Sequence, residues 1–145
     1  MKYVFDIVPE PQGRPRFARR GKFVQTYDPP KSKKFKGELA ELAREQLTEH
    51  TFYAGKHVPI EVSLKFYIPM LKSFTKNKRE MALNGSLRPP TRPDIDNYIK
   101  GTLDGLNGIF WEDDGQIVEL HAGKYYSDCP RIEMEIKERK NHENK

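Results

Sequence analysis

The chain has 145 residues, enough for one domain with a modest core, and its 36% hydrophobic against 32% charged content implies a thin core under a large charged surface, with room for an oligomer that hides further apolar area. A formal net charge of +5 favours a polyanionic partner over an acidic one. No apolar run approaches the ~20 residues that cross a bilayer, and the single cysteine, Cys129, excludes an internal disulfide and fits a reducing compartment.

The N-terminal stretch MKYVFDIVPEPQG carries Asp6 and Glu10 and has no long apolar segment, so it does not read as a signal peptide. The expected protein is soluble and intracellular. Within that stretch, Lys2 to Val8 alternates imperfectly and is rich in Val, Ile, Phe and Tyr, which predicts a first strand ended by Pro9 and Pro11. Residues Arg14 to Lys36 hold nine basic side chains (Arg14, Arg16, Arg19, Arg20, Lys22, Lys31, Lys33, Lys34 and Lys36) against Asp28 alone, a local balance of +8 that leaves −3 for the rest of the chain. Phe17, Phe23 and Tyr27 are interleaved with these charges, and Lys22 to Tyr27 reads as a short hairpin. One-signed charge beside aromatic faces suits phosphate contact and base stacking better than it suits a plain solvated loop.

Ser32 is placed to cap a helix from about Lys33 to Thr48, with Phe35, Leu39, Leu42, Ala43 and Leu47 on its packing face. His57 to Pro69 reads as a strand with Val62, Leu64, Phe66 and Ile68 on one side. Lys72 to Asn84 fits a short helix or a mobile lid, and Gly85 to Pro93 a loop. Ile95, Ile99, Leu103 and Leu106 predict one inward face of a helix over Asp94–Leu106, ended by Gly105 or Gly108. Strands follow over Gln116–Tyr126 and Arg131–Lys137, and the tail is expected to fray.

The chemistry is concentrated in Pro93-Asp94-Ile95-Asp96-Asn97-Tyr98-Ile99-Lys100 and, downstream, Trp111-Glu112-Asp113-Asp114. Asp96 and Lys100, four apart, share a helix face, and Asp94 converges with Asp96 at the helix start. Taken alone this is also the pattern of an ordinary helix N-terminus and surface ion pair. The second acidic pair shifts the balance, because clustered carboxylates repel unless a cation neutralises them. Oxygen donors without zinc-type spacing among His50, His57, His121 and His142 point to magnesium or manganese. Such a site, beside a basic stretch that holds a nucleic-acid backbone, suits phosphodiester hydrolysis, with Lys100 offering charge to the developing phosphorane. A calcium loop is excluded because its sixth position, counted from Asp94, is Ile99 and not glycine. Phosphate-binding glycine loops and hydrolase triads are also absent.

The segment TRPDIDNYIKGTLDGLNGIFWEDDGQIVELHAGKYY, together with RPRF at Arg14–Phe17 and YDPPKSKKFK at Tyr27–Lys36, resembles the RusA-type Holliday junction resolvases. The selective part is the Asp-x-Asp-Asn-x-x-Lys block followed by Trp-x-Asp-Asp-x-Gln. The resemblance implies an α+β fold: a small mixed β-sheet flanked by helices, in a single domain over residues 1–137 with a tail at 138–145, assembled as a homodimer. It implies Asp94, Asp96 and Asp114 as catalytic, magnesium-binding residues, Lys100 as the essential lysine, and Asp113 as a weaker ligand candidate. Mg2+ is the implied cofactor, with Mn2+ a substitute. The implied substrate is branched DNA, a four-way junction cut symmetrically in the cytoplasm by a bacterial or phage-encoded enzyme. DNA contacts are expected from Arg14, Arg16, Arg19, Arg20, Lys31, Lys33 and Lys34. The competing readings are a metal-dependent nuclease acting on other branched DNA or RNA, and a nucleic-acid-binding module without catalysis.

Overall fold

A computed structural model describes residues 1–14, 16–48, 51 and 53–139, without the side chains of Arg16, Ala18 and Arg20. Alternating apolar residues build a four-stranded sheet from β1 (Lys2–Phe5), β4 (Ile60–Pro69), β5 (Ile117–Ser127) and β6 (Arg131–Glu138), in the order β1-β6-β4-β5. β6 runs antiparallel to both β1 and β4, whereas β4 and β5 are parallel, so the sheet is mixed. A separate two-stranded ribbon is formed by β2 (Arg16–Arg20) and β3 (Phe23–Tyr27). Three helices complete the described residues: α1 (Pro30–Glu45), α2 (Lys76–Leu83) and α3 (Ile95–Leu106). The single-domain α+β architecture and the mixed sheet are as expected.

One face of the sheet carries the core. Tyr3, Phe5, Ile60, Val62, Leu64, Phe66, Ile132, Met134 and Ile136 are buried there, under Phe35, Leu39 and Ala43 of α1 and Tyr98 and Leu106 of α3. Phe110 and Trp111, both fully buried, close one end. The opposite face is polar, as period-two alternation in a one-sided sheet requires.

Several boundaries differ from the expectations, each for a local reason. α1 starts at Pro30, and Ser32 does not cap it. Proline at the first helical position gives up an N–H that would be unpaired anyway and presets φ. The Ser32 hydroxyl instead accepts the Gly13 N–H at 2.9 Å, pinning the N-terminal loop to the helix. Leu47 lies beyond the helix end and is exposed. The segment left open between helix and lid contains α2, capped by the Thr75 side chain, which accepts the Lys78 N–H. Glu138 closes β6 and the Arg139 N–H donates to the Pro59 carbonyl, so the expected tail is ordered up to there; Lys140 to Lys145 lie outside the described residues.

α3 is rotated from the face its isoleucines and leucines mark. Its buried residues are Tyr98, Gly101, Thr102, Gly105 and Leu106, while Ile95, Ile99 and Leu103 are only partly covered. The cause is close backbone approach on the glycine side. A Cβ on Gly101 would lie 3.3 Å from the Glu10 carbonyl, and one on Gly105 would lie 3.2 Å from Leu39 and 3.4 Å from the Lys36 Cα. The Gln12 N–H donates to the Asn97 carbonyl at 2.9 Å, so the loop after β1 lies directly on α3. Gly108, at φ 78, turns the chain after the helix.

Candidate active site

α3 presents its charged stripe outward. Asp94 is the N-cap residue with extended backbone, yet its carboxylate makes no capping hydrogen bond. Asp96, Lys100 and Asp104 follow at intervals of four, all exposed, and span ~12 Å along the helix at 1.5 Å per residue. Among the described residues, neither Asp94 nor Asp96 has a side-chain hydrogen-bond or ion-pair partner, and Lys100 forms no ion pair within 4.0 Å. The ordinary Asp96–Lys100 surface pair is thus not made; Asp94 and Asp96 stand without side-chain partners at the helix start, and Lys100 follows at mid-helix.

The entry to this helix is fixed from β5. Lys124 donates through Nζ to the carbonyls of Thr91 and Pro93, both at 3.0 Å. Arg88 donates to the Lys124 carbonyl at 2.9 Å and lies 4.1 Å over the Tyr125 ring. Tyr98 stacks on Phe66 at 5.5 Å between ring centroids, anchoring the first turn to β4. The backbone that carries Asp94 and Asp96 is therefore held on both sides.

The second acidic block is a short 3-10 turn, Asp114–Gln116, whose residues have different tasks. The Asp113 carboxylate accepts the Gly115 N–H at 3.0 Å and caps the turn. Gln116 is buried; its side-chain oxygen accepts the Glu112 and Asp113 N–H groups, and its amide donates to the carbonyls of Gly55 and Val58. Asp114 accepts a 2.7 Å hydrogen bond from the Trp111 indole. Burial pushes the Asp114 carboxyl above its ordinary range; the Trp111 bond works against this, and the nearby charges of Asp104 and Asp113 add to the rise. Asp114 thus faces Asp104, two turns along α3 from Asp96. Asp104 is missing from the sequence-derived set, although its spacing from Lys100 puts it on the same stripe.

Asp104 is also joined to α1. Lys36 Nζ lies 2.8 Å from Asp28 and 3.5 Å from Asp104, with its side chain only 19% exposed. Gln12 donates to the other Asp28 oxygen at 3.3 Å. The Lys36 hydrogen bond holds the Asp28 carboxyl below its usual range against the effect of burial, with smaller help from Gln12 and from the charge of Lys100. Lys36 is therefore engaged inside the protein, not offered to an outside anion.

Asp94 and Asp96 share one end of α3, and the carboxylates of Asp94, Asp96 and Asp114 do not form a set whose oxygens all lie within 4.8 Å of one another. Among the described residues, the carboxylate and imidazole group that meets that spacing is Glu61, Glu119 and His121, on the open face of the sheet. His121 is 3.4 Å from Glu119 and 4.0 Å from Glu61, and Arg139 also pairs with Glu119.

Of the expected DNA contacts, Arg14, Arg19, Lys31, Lys33 and Lys34 are exposed; the side chains of Arg16 and Arg20 lie outside the described residues. Lys31 and Lys34 line a groove with Asp6, Glu10 and Glu38, and Lys34 is 3.9 Å from Glu38. Lys33, three residues before Lys36, is on the α3 side of α1.

Exposed carboxylates along one helix, a lysine between them and a two-stranded ribbon apart from the main sheet mark a small single-domain α+β protein. The chain matches the Endodeoxyribonuclease RusA family over residues 6–137, and it belongs to that family. It is 44% identical to the uncharacterized protein YqaN of Bacillus subtilis (strain 168) over 138 residues, covering 92% of this chain and 94% of that protein. It is 34% identical over 84 residues to the crossover junction endodeoxyribonuclease rusA of Lactococcus phage r1t, covering 57% of each.

Proposed function

We propose that this protein is a magnesium-dependent, structure-selective DNA endonuclease that resolves four-way junctions by paired, symmetric phosphodiester hydrolysis in recombination and repair. The observation that carries this reading is the unspent Asp94, Asp96 and Lys100 on a braced helix start, in a chain of the RusA family. Residues 1–137 carry the activity. A homodimer supplies two such sites, matching the approximate two-fold symmetry of a junction. The setting is the cytoplasm, with a bacterial or a phage- or prophage-encoded gene.

The donor chemistry fits a hard divalent cation. Asp94 and Asp96 offer only oxygen, are exposed, and are free of competing partners, which suits Mg2+, an ion held by one or two carboxylates with water and substrate phosphate completing its shell. Mn2+ takes the same donors. When bound, the ion polarises a phosphate oxygen and makes water a better nucleophile. Asp114, carried on its 3-10 turn, is a further catalytic ligand to the ion in this reading, with Asp113, which caps the turn, a weaker ligand candidate and Asp104 adding negative charge beside Asp114. Lys100 acts on the charge that develops at phosphorus, its role as an electrostatic stabiliser following from an exposed ammonium between carboxylates with no ion pair within 4.0 Å. Arg14, Arg19 and Lys33 hold the phosphate backbone, Arg16 and Arg20 adding charge to the same ribbon. Lys31 and Lys34, with acids beside them, contribute less.

The test compares cleavage of a four-way junction, a linear duplex, a flap and an RNA hairpin, each with and without Mg2+. Symmetric paired nicks confined to the junction and dependent on the ion are expected. Equal cutting of duplex, flap or RNA removes the junction specificity, and no ion-dependent cutting of any substrate removes the catalysis.

A further inference from the structure

The β2–β3 ribbon stands apart from the main sheet. Every residue of β3 is exposed, and Phe17, Phe23, Val24 and Tyr27 are 71%, 79%, 64% and 47% accessible. Gly21 at φ 61 makes the tight turn between the strands. Two-stranded ribbons alone are marginal in water, and this one leaves its three aromatic rings largely uncovered.

The register sorts these side chains. Phe17 opposes Thr26 and Arg19 opposes Val24, so Phe17, Arg19, Val24 and Thr26 share one face. Phe23, Gln25 and Tyr27 point from the other. Apolar rings on both faces cannot be buried together by docking the ribbon flat on one protein surface; they suit an element inserted between two surfaces. Residues 16–27 hold four basic side chains and no acidic one, so the complementary partner is a polyanion with apolar planes, which is the description of unstacked nucleobases. At ~3.3 Å per residue the five-residue strands reach ~17 Å, enough to pass a phosphate backbone and meet bases.

We infer that the β2–β3 ribbon is a base-stacking element in which Phe23 and Phe17 take unstacked bases at the opened branch of the DNA while Arg19 and Lys22 hold the flanking phosphates. This rests on the nuclease reading for its substrate, but stacking itself is separable from cutting. Aromatic–base stacking is sequence-tolerant, since every base has a π-face, and removing one such ring commonly lowers affinity by about 5- to 150-fold.

The experiment measures binding in calcium, without cleavage, to a four-way junction, a single-stranded oligonucleotide and a perfect duplex. It uses the full chain, Phe23→Ala, Phe17→Ala, Phe23→Leu and Phe23→Tyr, with the oligomeric state of each measured by sedimentation. The alanine variants are expected to lose about 5-fold or more on junction and single strand and less than 2-fold on duplex. Phe23→Tyr should bind like the parent, whereas Phe23→Leu, apolar but without a π-face, should resemble alanine. Equal losses on all three DNAs, full rescue by leucine, or a changed oligomeric state with unchanged DNA preference would overturn the inference, the last assigning the ribbon to contact with a second copy. A parent that binds single strand with ring-dependent affinity yet does not cut junctions would leave the stacking role standing and remove the nuclease reading.

Discussion

Replacing Lys36 by methionine separates an internal tie from a DNA contact, because charge counting assigns Lys36 to the basic stretch while geometry assigns it to Asp28 and Asp104. The ammonium is 2.8 Å from Asp28 and 3.5 Å from Asp104. Its partners' side chains are 38% and 42% exposed, so solvent screening places the pair nearer the surface range than the buried one. A loss of about 0.5–1 kcal/mol is expected, which for a chain of this size lowers Tm by about 1–4 °C. The pH dependence has a definite sign. The Lys36 bond lowers the Asp28 carboxyl from 3.8, so its contribution is present above pH ~4 and fades as pH falls through the lowered value. The Tm gap between parent and Lys36→Met should therefore narrow on acidification through that window. On DNA, the slope of log affinity against log salt should be unchanged by Lys36→Met. Lys33→Gln, which removes an exposed charge, should reduce its magnitude by about 0.9. Thermal unfolding across pH and salt-dependent binding in calcium check both. A Lys36→Met protein with parental Tm and a salt slope reduced by about one would refute the tie and make Lys36 a phosphate contact.

Lys124→Met frees the Thr91 and Pro93 carbonyls that fix the start of α3; we expect about 1–2 kcal/mol lower stability and cutting slowed about tenfold or more at unchanged junction affinity, measured by single-turnover kinetics beside binding in calcium. Asp114→Asn should reduce cutting below detection with junction binding unchanged or tighter, since a negative charge near phosphate has gone. Because the Asp114 carboxyl is pushed up in the fold, its favourable contribution is complete below pH ~3.8 and is lost as pH rises through the raised value; Asp114→Asn should thus melt higher than the parent at neutral pH in chelator and lose that advantage in acid. Gly101→Val should drive the Glu10–Gln12 loop off α3, costing about 1–3 kcal/mol in a urea melt, since the first added carbon already meets the Glu10 carbonyl at 3.3 Å.

Strand patterns were legible because alternation in Ile60–Pro69 and Arg131–Glu138 maps directly onto burial. The α3 helix was legible too, but not the face it buries: glycines carry no hydropathy, and it is Gly101 and Gly105 that let loop and helix close in. That Asp96 and Lys100 share the exposed face of α3 followed from their i, i+4 spacing. The burial of Asp114 against Trp111 did not, because it depends on how the 3-10 turn folds over the core. Nor did the loss of Lys36 from the basic stretch, since Asp104 lies 68 residues away in the chain and only packing of α1 on α3 brings it near. The role of Gln116 was hidden for the same reason: two of its four hydrogen bonds reach Gly55 and Val58, distant in sequence.

In the proposed function the exposed stripe of α3 does the cutting. The most direct measurement is single-turnover cleavage of a saturated four-way junction in Mg2+ by the parent, Asp96→Asn and Lys100→Ala, each paired with junction affinity in calcium. Asp96→Asn is expected to cut below detection and Lys100→Ala to be slowed by about 10²–10³, both with near-parental affinity. Parental cleavage rates in both variants would contradict the account and return Asp96 and Lys100 to an ordinary helix surface.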